Sequence, residues 1–230
     1  MSDVEDVDGA VDKLRWENVG ERQALLAELA KPARLRSLLE RLRTDRALLE
    51  LCEFEASCYK MVVVARPSTV RVRLHLFCDD SRTRAAHDDG RAWPASLGYS
   101  DSPHSHRWSF TSRIFSGCYT HSIYGKEHEF ESAADPRTIA PKVIREEDQG
   151  TTYSLEHDLV HSLSAPANTV SLFIRGPALK ARSLIVDPNS PKLDWRRTAK
   201  EESAELRKAQ RFSLDMLDRC MQTLAELKVV

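Results

Sequence analysis

The stretch Gly98-Tyr-Ser-Asp-Ser-Pro-His104-Ser-His106-Arg-Trp108-Ser-Phe110-Thr-Ser-Arg-Ile-Phe-Ser-Gly117 decides how this chain is read. His104 and His106 stand two apart. On an extended strand residues i and i+2 share a face, so both imidazoles can reach one cation. Gly98 precedes the pair by six positions and Gly117 follows it by eleven, as a short ligand-presenting strand closed by a tight turn requires. A third histidine, His161, lies in Leu159-Val-His-Ser-Leu163, an apolar run in which an imidazole needs a partner or a metal. Its rival His157 has the same parity, but it is flanked by Glu156 and Asp158 and reads as a surface residue or a support for the ligands. Three neutral nitrogen donors that leave coordination positions open suit a divalent ion such as iron or zinc.

Working outward, the even-numbered residues of the first stretch face together: His104, His106, Trp108, Phe110, Ser112 and Ile114. That parity sets an aromatic wall beside the candidate ligands. The competing reading makes the histidines part of a Ser-Pro-His-Ser-His turn and Trp108 plain core.

The first stretch resembles the first signature of the cupin superfamily in its leading glycine, its His-x-His pair and its closing glycine. Phe110 stands where many cupins carry a glutamate ligand, which is similar to the three-histidine cupins such as the thiol dioxygenases of cysteine dioxygenase type. His161 fits the histidine of the second signature, with Asp158 in place of its usual glycine and Ala165 in place of its usual asparagine. The resemblance runs from Tyr59 to Ile185 and implies a mainly β fold: a cupin-type, double-stranded β-helix barrel with flanking N- and C-terminal helices. It also implies a metal at His104, His106 and His161. Fe(II) is the expected cofactor, with zinc or manganese as the alternative, because loss of the carboxylate weakens the site for a hard metal.

Past the second signature, Thr169-Val-Ser-Leu-Phe-Ile-Arg175 alternates, with Ser171, Phe173 and Arg175 on one face. In the thiol dioxygenases the corresponding face carries serine, histidine and tyrosine. Ser171 matches, whereas Phe173 and Arg175 replace the other two, and Thr111 stands where some members have a crosslinked cysteine. An arginine aimed into a metal cavity can hold a carboxylate through two parallel hydrogen bonds; the other reading of Arg175 is an ion pair at the barrel rim. Lys60 falls near the family's carboxylate-binding arginine. The substrate-binding candidates are therefore Arg175, Ser171, Trp108, Phe110 and Lys60. His121, Tyr119 and Tyr153 are the candidate catalytic groups, with His121 also readable as a hydrogen-bonded barrel histidine. Arg73 and His75 join the cavity only if their strand face points inward.

The rest of the chain is expected to support this barrel. Residues 1–19 are acidic and small and read as a disordered or loose tail. Residues 20–56 read as a helical region, with a helix from Arg22 to Ala30, Pro32 opening a second, and Thr44 capping a third through Leu51. The arginines at 34, 36, 41, 43 and 46 interleave with Glu40, Asp45 and Glu50 and read as a solvated face. Residues 57–190 form the barrel. Its expected strands are Tyr59–Ala65, Val70–Phe77, a hairpin of Trp108–Phe115 with Cys118–Tyr124, one near Val143, then Thr151–Ser154, Leu159–Leu163, Thr169–Arg175 and, last, Arg182–Val186. Asp79 to Pro103 reads as a long polar loop. Residues 191–230 contribute a helix from Lys200 to Leu227 that packs on the barrel within one overall domain.

A formal charge of −1 and a pI of about 6.7 exclude a global field that draws nucleic acid or an anionic membrane. Five scattered cysteines without paired spacing, and an acidic N-terminus unlike a signal peptide, point to the cytoplasm. The expected function is a mononuclear non-haem Fe(II)-dependent oxygenase. It would act with O2 on a small carboxylate-bearing substrate, amino-acid or thiol-like, as a monomer or homodimer. The alternatives are a zinc- or manganese-dependent isomerase or lyase and a non-catalytic binding module.

Overall fold

The computed structural model describes residues 3–55, 57–66, 70–78, 99–196 and 210–230. The helices come first: α1 (Asp3–Asp12), α2 (Val19–Leu29), α3 (Pro32–Arg41) and α4 (Arg46–Leu49). Asn18 caps α2 by accepting from the Glu21 amide, and Pro32 opens α3 where a missing N–H costs nothing. Asp45, not Thr44, caps α4. The expected loose tail is corrected, since α1 buries Val7 and Val11 against the rest of the core. Its Asp8 pairs with Arg41 and Arg66, and Asp12 with Arg66, so these acidic residues have distant cationic partners.

The strands are β1 (Glu53–Glu55), β2 (Cys58–Ala65), β3 (Arg71–Phe77), β4 (Tyr99–Ser100), β5 (Phe110–Ser116), β6 (Cys118–Lys126), β7 (Val143–Asp148), β8 (Thr152–Leu155), β9 (Leu159–Ala165), β10 (Val170–Arg175), β11 (Ser183–Val186) and β12 (Leu193–Arg196). A short helix α5 (Glu127–Glu131) and a 3₁₀ turn (Pro136–Thr138) separate β6 from β7, and α6 (Leu214–Glu226) ends the ordered elements. The expected last strand is followed by another, β12, which pairs with it. Ser213 caps α6, so that helix is shorter than the periodicity from Lys200 implies; 197–209 lie outside the described residues. The same holds for 79–98, most of the expected long loop.

Pairing is antiparallel throughout. One sheet has the order β1-β2-β3-β10-β5-β8, a second β4-β9-β6-β7, and β11 and β12 form a third small sheet. From β3 to β10 the chain crosses between the two large sheets at every step but one, the β6–β7 pair within the second sheet, and this is a jelly-roll order of the cupin type, made here mainly of β structure with flanking helices. β5 and β6 are therefore not the hairpin that their spacing suggests: they pair in different sheets, and Gly117 is the corner between them. Gly117 has φ +72°, and a Cβ there would lie 2.4 Å from Thr169 Oγ1 and 2.9 Å from Thr169 Cα, so a side chain is excluded twice over.

The six-stranded sheet sends Val72, Leu74, Leu76, Val170, Leu172 and Ile174 to one side, all essentially buried. There they meet Leu26 and Leu29 of α2, Leu35, Leu38 and Leu39 of α3, and Leu217 and Leu224 of α6 in one apolar cluster. A buried arginine fixes the helices to the sheet. Arg22 of α2, 3% exposed, donates to Thr111 Oγ1 of β5 and to the Trp16 carbonyl and stacks on the Trp16 ring. Three arginines of α3 and α4 meet acids: Arg34 with Glu28, Arg41 with Asp8 and Asp45, Arg46 with Glu50. The five cysteines are free, and no helix among the described residues is long and apolar enough to cross a membrane.

Candidate metal centre

His104 and His106 lie in the connection from β4 to β5, and His161 lies in β9. Reciprocal backbone bonds of 2.8 Å between His104 and His161 fasten the two segments together, an edge pairing that puts the side chains side by side. Ser105, between the two histidines and 2% exposed, is the anchor of the connection. Its hydroxyl donates to Glu127 and accepts from Lys180 Nζ and from the Leu184 amide. Lys180 also pairs with Glu127 and donates to the His157 carbonyl.

The three expected ligands come together. One ligand atom of each of His104, His106 and His161 lies within 4.8 Å of the other two. His106 Nε2 and His161 Nε2 face each other at 2.9 Å. Two nitrogens bound at about 2.1 Å and at right angles to one ion lie about 3.0 Å apart, so the pair is spaced as neighbouring ligands of a six-coordinate metal. His104 Nδ1 donates to the Ser102 carbonyl at 2.9 Å, which leaves its Nε2 as the lone pair.

His161 has a support that the sequence does not announce. Its Nδ1 meets His121 Nε2 at 2.9 Å, and His121 Nδ1 lies 3.5 Å from Glu147 Oε1. Arg145 pairs in turn with Glu147, which is 4% exposed. With the carboxylate accepting from His121 Nδ1–H, His121 Nε2 accepts from His161 Nδ1–H, and the lone pair of His161 is directed at His106. Such outer partners fix the tautomer and orientation of a metal-binding imidazole. Burial, then the neighbouring charges of His104 and others, holds His106 and His161 well below the usual histidine range. Burial, then Arg145, pushes His121 down to about 4. His106, His161 and His121 are therefore neutral at neutral pH, the state in which an imidazole binds metal.

The aromatic wall is present although β5 begins only at Phe110. Trp108 stacks on His106 with centroids 4.4 Å apart, and Phe110 meets His106 edge-on at 5.1 Å and His161 at 5.8 Å. Phe173 touches Trp108, Phe110 and His75. Arg175 lies over Trp108, its Cζ 5.3 Å from the ring centroid, and donates to the Gly176 carbonyl. Ser171 is fully buried and accepts from Tyr119 O–H. Lys60 pairs across the strands with His75, and His75 with Ser171, which places Lys60 on the same inner face. Arg73 pairs with Phe173, so Arg73 and His75 do point inward.

The candidate catalytic groups are engaged. His121 is bonded on both ring nitrogens, Tyr119 donates to Ser171, and Tyr153 has Ser112 as its hydroxyl partner while its ring lies 5.1 Å from His121. Burial raises both tyrosines above their ordinary range. His157 is not one of the converging histidines; it is half-buried rather than solvated, and its Nδ1 is buried without a partner among the described residues. Glu147 and Lys180 were invisible as site residues. The only signal for Glu147 is parity with Arg145 in a strand that is otherwise exposed.

No family model matches the sequence, and no curated protein matches it. Among solved structures it is similar to KdgF from Halomonas sp., with 13% identity over 54% of this chain and 82% of that chain and a TM-score of 0.35. An RmlC-like cupin from Shewanella frigidimarina gives 13% identity over 56% of this chain and 85% of that one, with a TM-score of 0.36. A variant of oxalate decarboxylase from Bacillus subtilis gives 13% over 55% and 27%, with a TM-score of 0.37. Likenesses of this strength carry nothing about activity or metal. The cupin-type fold stands on the strand order and pairing themselves.

Proposed function

We propose that this protein is a mononuclear non-haem Fe(II)-dependent oxygenase acting with O2 on a small carboxylate-bearing substrate, an amino acid or a thiol of the kind thiol dioxygenases take. The observation that carries this reading is the convergence of His104, His106 and His161 behind an aromatic wall, with the tautomer of His161 fixed from outside. The donor set is all imidazole and includes no carboxylate, which favours iron or zinc over manganese. Iron held there supplies redox chemistry with O2 and open coordination positions.

The chain's own residues do the rest. Trp108 and Phe110 keep water from the ligands. Arg175, held over Trp108, orients the substrate carboxylate. His121 and Glu147 position His161. An isomerase or lyase on the same scaffold needs a side chain free to move a proton. The engagement of His121, Tyr119 and Tyr153 favours the oxygenase over that alternative. The ion-paired arginines of α3 and α4 favour a small-molecule partner over nucleic acid.

The test is anaerobic reconstitution with Fe(II), metal analysis and O2 uptake over a panel of amino acids and thiols. Wild-type protein is expected to hold one iron, and His106→Ala or His161→Ala to hold none while keeping the wild-type circular dichroism spectrum. Full iron occupancy in either variant sinks the centre. Zinc in the isolated protein with turnover under nitrogen favours the lyase.

A further inference from the structure

The inner face of the six-stranded sheet carries more positive charge than one carboxylate requires. Cross-strand register sets Arg71 of β3 directly opposite Arg175 of β10, and Arg73 opposite Phe173 in the next inward row. Opposed residues of an antiparallel pair have neighbouring Cβ atoms, and like charges placed so repel. Burial, then Arg71, Arg73 and Arg107, lowers Arg175 to about 9, and burial, then Arg73, lowers Arg71. Glu53 is the one carboxylate that acts on Arg71 and Arg175, and it forms no ion pair with either among the described residues. Four buried side-chain polar atoms lack a partner among the described residues, and three of them, Arg73 Nε, Arg175 Nε and His75 Nε2, lie on this face. Buried donors are normally satisfied, and each that is not calls for a partner. Phe173, which contacts both His75 and the wall of Trp108 and Phe110, joins this face to the histidines.

We infer that the site takes a dianionic substrate, whose two negative charges, on two carboxylates or on one phosphate group, are received by the guanidiniums of Arg71, Arg73 and Arg175. A monoanion would satisfy Arg175 and leave the arginine opposite it uncompensated. The inference rests on the proposed active site for what happens at the histidines. Charge recognition itself needs no metal, so the two are tested apart.

The full chain, stripped with a chelator, is titrated calorimetrically with succinate, inorganic phosphate and propionate in turn. The better dianion is expected to bind at least about tenfold more tightly than propionate, the equivalent of one added charge-assisted contact. Succinate ahead of phosphate identifies a dicarboxylate, and phosphate ahead of succinate a phosphate ester. Arg73→Gln and Arg175→Gln should each weaken the dianion by about tenfold and propionate by less. Both variants should keep or raise the melting temperature of the ligand-free protein, because each removes a repulsive charge. With wild-type protein alone, added salt should weaken the dianion more than propionate. Equal binding of dianion and monoanion, no binding of either dianion, or unchanged binding in both variants overturns the inference. Loss of metal binding in the intact protein would overturn only the oxygenase.

Discussion

One face of β3 and β10 is Val72, Leu74, Leu76, Val170, Leu172 and Ile174; the other is Arg71, Arg73, His75, Ser171, Phe173 and Arg175. The same two strands, one residue out of phase, carry an interior against the helices and a polar cup against the histidines. On the helix side every side chain finds apolar neighbours. On the histidine side an arginine opposes an arginine, and three buried nitrogens lack partners among the described residues. Stability is made on the first face and given up on the second. Strained or unsatisfied groups persist when the surrounding structure holds them in place, and they collect at functional sites.

The contrast breaks most visibly at Leu172. Leu172→Ala on the helix side should cost about 2–5 kcal/mol in urea unfolding, the usual penalty for an emptied core site. Metal stoichiometry of the folded fraction should not change. A variant that loses metal while folded would show that the two faces are coupled.

A smaller effect is expected behind the centre. Glu147→Gln removes the charge that orients His121 and so loosens His161. Metal affinity, measured by competition with a chelator, should fall about 10–100-fold with little change in unfolding free energy. An unchanged affinity would make the Arg145–Glu147–His121 chain purely structural.

The smallest effect sharpens the comparison through pH. Burial, then Lys60 and Arg73, holds His75 well below the usual histidine range, so it stays neutral in the folded protein. In the unfolded chain it binds a proton with a pKa of about 6.5. The unfolded state therefore takes up more protons below that pH, and stability falls as pH drops from about 6.5 toward the depressed folded value. His75→Phe, which keeps an aromatic ring against Phe173, should flatten this acid limb by about 1 kcal/mol between pH 6.5 and 5.5 in the metal-free protein. An unaltered limb would mean that His75 takes up a proton as readily in the folded protein as in the unfolded chain, so that burial and the neighbouring cations do not hold it neutral.

Much of this was legible from local pattern. The period-two alternation of Val70–Phe77 and Thr169–Arg175 groups the residues of each face correctly, and the His104–His106 spacing together with the apolar setting of His161 finds the three imidazoles. What escaped has a common cause, dependence on partners distant in sequence. α1 reads as an acidic tail because Arg41 and Arg66, which engage Asp8 and Asp12, are remote. Gly117 reads as a hairpin turn because nothing local tells a turn within one sheet from a corner between two. Glu147 and the sidedness of Arg73 are set by strand register, which a single strand does not reveal, and Lys180 lies in the connection from β10 to β11, whose partners Ser105 and Glu127 are distant in sequence.

The reciprocal bonds between His104 and His161 bear on the order of events during synthesis. The first two imidazoles leave the ribosome well before the third. A cation meeting the nascent chain finds two donors and a loose segment, a poor binding site. Tight capture would wait until β9 has docked, so loading would come late and reward the finished architecture by mass action instead of nucleating it. Slow exchange of a loaded ion would then report on the rate at which β9 lets go.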